Sequence, residues 1–236
     1  MRKLLKKLGR EPESLSGKTF ILSLANMVGM GANIVTPFVL VRIFTKQEYG
    51  LLGMIFFLIT SVHSIVGLNV SNSAAYFIPR GELEPKRVLA SIQGLNLALG
   101  VALFGVMLLA PQPILWLFKS ESVGGYLFAI GLALFLWNGS RAMSLVPIAL
   151  GKSVVSATYI AATESLRSVC VLLPGLIFGS VSAVLYGFLF WSLIRFLVVW
   201  RYLRVSVGIR ARDFDVDTLR RLLRYCLPFG VTAIII

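Results

Sequence analysis

Within the apolar run Ser153 to Gly179, SVVSATYIAATESLRSVCVLLPGLIFG, stand one carboxylate, Glu164, and one guanidinium, Arg167. An ionised side chain at membrane depth costs roughly 2.5–3.5 kcal/mol on insertion scales, so it normally faces a protein interior or a wet cavity and has a partner. At helical spacing Ser153, Ala157, Ala161, Glu164 and Ser168 follow one another on a single face with Arg167 beside them, a small and polar stripe. The opposite face, Val155, Tyr159, Ala162, Leu166, Val169 and Leu173, is expected to meet lipid. The preceding apolar run contains Asn138 and Arg141 and joins this one through Gly151-Lys152-Ser153. Arg141 lies 11 residues before Lys152 and Glu164 lies 12 after it. At ~1.5 Å of rise per residue both sit about 17 Å from the turn, and an antiparallel hairpin brings them to one depth. Arg141, Glu164 and Arg167 thus form a candidate cluster of net charge +1. One reading is a buried ion pair that only ties two helices together. The other is a cationic patch in a cavity, suited to a phosphate or pyrophosphate because arginine presents a planar fork of donors. The surplus positive charge favours the second.

Further polar residues recur inside the apolar runs. Ser23, Asn26, Met30, Asn33 and Pro37 share a helical spacing, as do Asn69, Asn72 and Tyr76. Amides in membrane helices usually bond neighbouring helices, but as a cavity lining Asn26, Asn33, Asn69, Asn72 and Asn138 could equally bind sugar hydroxyls. Pro37 and Pro174 are expected to kink their helices. No nucleophile with a base, acid/base pair, metal-ligand cluster or phosphate loop can be assembled, so the expectation is a protein that is not an enzyme and needs no cofactor or metal. His63, the lone histidine, cannot build a site by itself. Cys170 and Cys226 fall in or beside apolar segments, which argues against a disulfide framework.

The elements that must carry these residues follow from hydropathy. The 236 residues are 57% hydrophobic and 14% charged, with mean hydropathy +0.86. Soluble domains run at about 45–50% and about 25%, so this is an all-α polytopic membrane bundle. Runs near the ~20 residues that cross a hydrocarbon core extend approximately over 19–43, 50–77, 88–109, 123–150, 153–178 and 181–202. A seventh opens at Tyr225, YCLPFGVTAIII, and is expected to be incomplete at Ile236. The expected organisation is a basic segment at 1–18, a six-helix lobe at 19–203, a basic amphipathic linker at 204–224 and the start of a seventh helix at 225–236.

The formal charge of +13 would point to nucleic acid in a soluble protein, but its distribution argues otherwise. Seventeen lysines and arginines fall in the N-terminal tail and in the connections after the second, fourth and sixth runs, against three, Arg42, Lys46 and Lys119, in the alternate connections. Short cytoplasmic loops accumulate such residues. The expected topology therefore has a cytoplasmic N-terminus and no nucleic-acid partner. MRKLLKKL and DTLRRLLRYCL each put leucines on one face and cations on another, the pattern of helices that lie among lipid headgroups.

At Thr36 to Gly53, TPFVLVRIFTKQEYGLLG, a first span ending in apolar-Arg-apolar leads through Thr-x-x-Glu-Tyr-Gly into the second. With the basic loop that runs into RRLLRYCLPFG, this resembles the polysaccharide and O-antigen flippases of the multidrug/oligosaccharidyl-lipid/polysaccharide (MOP) exporter superfamily. The resemblance implies two six-helix lobes around a central cavity, of which this chain would be the N-terminal one. It implies alternating access that moves a polyprenyl-pyrophosphate-linked oligosaccharide, as in lipopolysaccharide O-antigen synthesis, to the outer leaflet of the cell inner membrane. Membrane lipid and a coupling ion, H+ or Na+, would be its other partners. Arg42 and Glu48 match the family's connection, where a structural role is expected. The alternatives are a cation-coupled multidrug exporter or a lipid II flippase of the same fold, and a membrane assembly subunit without a substrate, in which Glu164 and Arg167 would only pack.

Overall fold

Prolines, glycines and capping side chains decide where the apolar runs of this chain become helices and where they stop. A computed structural model describes residues 15–66, 70–118 and 121–235. Its helices are α1 (Leu15–Ile43), α2 (Lys46–Val66), α3 (Asn72–Arg80), α4 (Pro85–Leu109), α5 (Gln112–Phe118), α6 (Leu127–Gly139), α7 (Val146–Ala149), α8 (Ser153–Phe178), α9 (Val181–Tyr202) and α10 (Val216–Ile235). Among the described residues there is no strand, and six segments are long and apolar enough to cross a membrane. The protein is a multi-pass helical bundle.

Two of the six expected runs are not continuous helices. The second ends at Val66, and a separate short helix, α3, follows from Asn72. The fourth is broken between α6 and α7. A 3-10 turn, Arg141–Ser144, intervenes, and Pro147, in the first turn of α7, lacks the N–H that would continue the ladder from α6. Asn138 Nδ2 and Ser140 Oγ bond back to the Leu134 and Trp137 carbonyls near the break, at 3.0 and 2.8 Å. The tight turn expected at Gly151-Lys152-Ser153 is present, with Gly151 at φ +76°. The Thr-x-x-Glu of the recognised connection is a capping box. Thr45 N–H and Oγ1 both donate to Glu48 Oε2, at 3.0 and 2.8 Å, and Glu48 N–H donates to Thr45 Oγ1 at 3.3 Å. The motif thus fixes where α2 begins.

Packing brings α1 against α8, α4 against α6, and α9 against both α8 and α6. The α8–α9 crossing rests on one glycine. Pro174 lies inside α8 and cannot bond the Cys170 carbonyl one turn back. Gly187 of α9 sits so close to that carbonyl that a Cβ there would lie 1.9 Å from its oxygen.

Two apolar clusters fill opposite ends of the bundle. One gathers Phe44, Leu52, Ile55, Ile130, Val184 and Phe188, and the other Ala74, Phe77, Leu89, Ile92, Met143 and Leu222. Between them runs a belt of polar and ionisable side chains. The helix α10 joins the basic amphipathic DTLRRLLR to the apolar start of the seventh run in one continuous element. Asp215 precedes it, and its Oδ2 accepts the Thr218 N–H at 3.0 Å together with the Thr218 hydroxyl.

Candidate functional site

The polar belt is centred on Trp191, which is fully buried on α9. Its Nε1–H donates to the Thr163 carbonyl of α8 at 2.7 Å, which locks the ring against the polar face of that helix. Guanidiniums flank it: Arg167 of α8 is 5.8 Å from the ring centroid and Arg195, one turn further along α9, is 5.3 Å away. Both lie within the ~6 Å range of cation–π attraction. Trp137 of α6 meets Trp191 edge-on at 5.9 Å and stacks on His63 of α2 at 4.1 Å.

Each arginine has a distinct attachment. Arg167 pairs with Glu164 one turn earlier on α8, at 3.0 Å, with both side chains about one-fifth exposed. Room for Glu164 comes from Gly29 of α1, where a Cβ would approach the glutamate Cγ to 3.1 Å. Arg141, in the break after α6, donates from Nη1 to the His63 carbonyl at 2.7 Å. His63 is in the last turn of α2, whose carbonyls lack helical partners, so Arg141 caps α2 with a positive charge at its negative dipole end. Arg195 donates from Nε to the Tyr159 hydroxyl at 2.9 Å. Tyr159 is therefore not on a lipid face as its spacing predicts. It is 7% exposed, because α9 crosses α8 on that side and offers the phenol a charged donor.

A cavity of about 350 Å³ opens beside this belt. Its wall combines Arg167 and Ser168 of α8, Asn33 and Thr36 of α1, Thr60 of α2 and Trp137 of α6, with Phe188 of α9. Thr36 Oγ1 donates to Ser168 Oγ at 3.1 Å and ties α1 to α8 there. The lining is thus mostly apolar with a few fixed polar groups, one of them cationic, which is the usual makeup of a small-molecule site.

The expected site residues are distributed unequally. Arg167 and Asn33 line the cavity, and Glu164 is bonded to Arg167. Arg141 reaches the end of α2. Asn138 is buried and bonds the Leu134 carbonyl of its own helix. Asn26 and Asn72 are exposed on α1 and α3 and are not among the residues that line the cavity, and Asn69 lies outside the described residues. The residue that sequence reading left unassigned is Arg195. It shares the Trp191 ring with Arg167, so the belt holds three arginines against one glutamate, net +2. Its sequence signal was its presence in an apolar run, which the hairpin argument between the fourth and fifth runs did not reach.

The chain matches, over residues 39–236, the family described as polysaccharide biosynthesis protein. None of the curated proteins matches it. Three solved structures are similar in fold. An outward-facing multidrug resistance MATE family transporter of the MOP superfamily superposes with a TM-score of 0.74 at 18% identity, over 92% of this chain and 52% of that one. A MOP superfamily transporter from Pyrococcus furiosus, whose binding pocket of reverse polarity suggests a different function for that protein, gives 0.74 at 19% identity, over 96% and 54%. A MATE transporter in the straight conformation gives 0.73 at 21% identity, over 96% and 54%. The chain spans about half the length of these structures. The chain thus shares its fold with about half of each of these transporters, and by its match over most of its length it belongs to the polysaccharide biosynthesis protein family.

Proposed function

We propose that the chain is one lobe of a flippase that carries a lipid-linked oligosaccharide, joined to its polyprenyl carrier through pyrophosphate, across the cell inner membrane by alternating access. The observation that carries this reading is Arg167 in the wall of a membrane-depth cavity, backed by Arg195 and Arg141 and only partly offset by Glu164. A pyrophosphate is the chemistry such a surplus attracts, since guanidinium meets phosphate oxygens with two parallel donors. Thr36, Thr60 and Asn33 supply hydroxyl and amide groups for a sugar. The charge balance of the lysines and arginines puts the N-terminus in the cytoplasm, so the basic loop after α9 lies on the side from which the substrate is loaded. H+ or Na+ is the coupling ion in this reading, with no enzymatic step and no nucleic acid involved. A cationic drug fits the same cavity poorly, because a net +2 belt repels it.

The test is Arg167→Gln in cells that depend on the chain as its gene encodes it, with membrane abundance followed in parallel. The expected result is normal abundance with loss of flipping, read as lipid-linked oligosaccharide held in the cytoplasmic leaflet. Flipping at the wild-type rate in this variant overturns the assignment of Arg167 to the substrate.

A further inference from the structure

A second cleft, of about 700 Å³, lies outside the cavity just described, between the N-terminal half of α4, the end of α9 and the loop that follows it. Its construction starts with how α9 ends. The helix widens into a π-turn at Leu203–Val207 and stops at Gly208 with φ +75°, and the chain then turns back across α4. Phe214 lands on α4 where Gly94 has no side chain, so close that a Cβ there would lie 2.8 Å from the ring. Ser91 Oγ donates to the Asp215 carbonyl at 3.1 Å and fixes the loop to the same helix. The walls between are apolar: Leu97, Trp200, Leu203 and Ile209.

The charge around the cleft points to the kind of occupant it fits. The rim is cationic, for Arg204 and Arg210 both line the cleft, both are exposed, and Arg204 rests over the Trp200 ring at 4.3 Å. Lys86 places its ammonium close to Gly208, at the base of the same loop. Inside the cleft, Gln93 is 94% buried. Its Nε2 donates to the Gly139 carbonyl at 2.8 Å and turns the amide away from the cleft, and its buried Oε1 has no hydrogen-bond partner among the described residues. An apolar trough with a cationic rim fits an amphiphile with an anionic head. Basic pockets beside membrane helices recognise anionic lipid heads in this way.

We propose that this cleft is a binding site for one anionic glycerophospholipid, such as phosphatidylglycerol. Its phosphate meets Arg204 and Arg210, and an acyl chain lies along Leu97 and Trp200. The site is separate from the substrate cavity and depends only on the chain's being a membrane protein. Bound there, the lipid would clamp the loop that leads into α10 against α4.

The experiment uses the purified full chain, exchanged from nanodiscs of equal phosphatidylglycerol and phosphatidylcholine and weighed by native mass spectrometry. The expected result is one retained phosphatidylglycerol per chain, at least tenfold over phosphatidylcholine. Arg204→Gln with Arg210→Gln should remove that preference, and Leu97→Trp should remove the bound lipid by filling the trough. Equal retention of the two lipids, or an unchanged preference in the double variant, overturns the proposal. So does displacement by glycerol 3-phosphate as effective as that by short-chain phosphatidylglycerol, which would make the cleft a site for soluble phosphate. Should Leu97→Trp fail to fold, the double arginine variant decides alone, because both of its side chains are exposed.

Discussion

The arginines of the polar belt and those after α9 have the same chemistry and opposite circumstances. Arg141, Arg167 and Arg195 are each committed to a partner, namely a helix-end carbonyl, a glutamate and a tyrosine hydroxyl. Arg220, Arg221 and Arg224 stand exposed on α10. The difference teaches that charge within the lobe is positioned by packing, whereas charge at its edge is free to follow whatever surface it meets. Exposed cations contribute little to stability, but those in the interior cannot lose their partners cheaply.

Breaking the frame of the inner set should give the largest effect. Gly187→Val places a side chain against the Cys170 carbonyl, backbone that cannot yield, and forces α9 away from α8. That separates Trp191 from Thr163 and Arg195 from Tyr159. The expected outcome is loss of a monodisperse peak in detergent size exclusion, with Gly187→Ala intermediate. Next comes Arg141→Met, which uncaps α2 and strands a carbonyl at depth. It should cost about 1.5–3 kcal/mol, the range for hydrogen bonds to charged groups, seen as a lower thermal unfolding midpoint. The Glu164–Arg167 pair is one-fifth exposed, so screening reduces its worth. A double-mutant cycle with Glu164→Gln and Arg167→Gln should give a coupling of about 1 kcal/mol.

Outside the belt the effects shrink. The Thr218 hydroxyl and then the Thr218 N–H hold the Asp215 carboxyl below its ordinary value. A depressed folded-state value means that the stabilisation is complete above the unfolded carboxylate value and is lost as pH falls through the folded one. Proteolysis in the 209–215 loop should therefore rise on the acid side of pH 4 and be indifferent to pH in Asp215→Asn. The smallest change is expected for Arg220→Gln with Arg221→Gln, within about 0.5 kcal/mol. A midpoint shift as large as that of Arg141→Met would erase the contrast between the two sets.

Much of the fold was legible without coordinates. Six runs of membrane length and the Gly-Lys-Ser turn follow from local composition, since hydrocarbon thickness and helix rise fix what a span must look like. The breaks were less legible. Pro147 marked one of them, but the run around it is apolar enough to read as continuous, and a hydropathy window averages over a turn. The Thr-x-x-Glu connection was recognised by its family pattern, while its mechanism, a capping box, stood in the same four residues.

The candidate site divides in the same way. Glu164 with Arg167 is a one-helix relation, which spacing along the chain specifies. The hairpin estimate that sets Arg141 at the depth of Glu164 takes the fourth run as one straight helix. The chain bends at Ser140, and the guanidinium bonds the end of α2. Tyr159 and Arg195 are linked across two helices, and no periodicity within either one contains the crossing. By itself the sequence determined that charge lies in the membrane, how many membrane-length runs the chain has and which turn joins α7 to α8, because these depend on neighbours along the chain. Only the tertiary structure decided which arginine faces the cavity, which caps a helix and which holds a tyrosine. Those roles are set by a glycine-mediated contact between α8 and α9, and by side chains that meet across helices far apart in sequence.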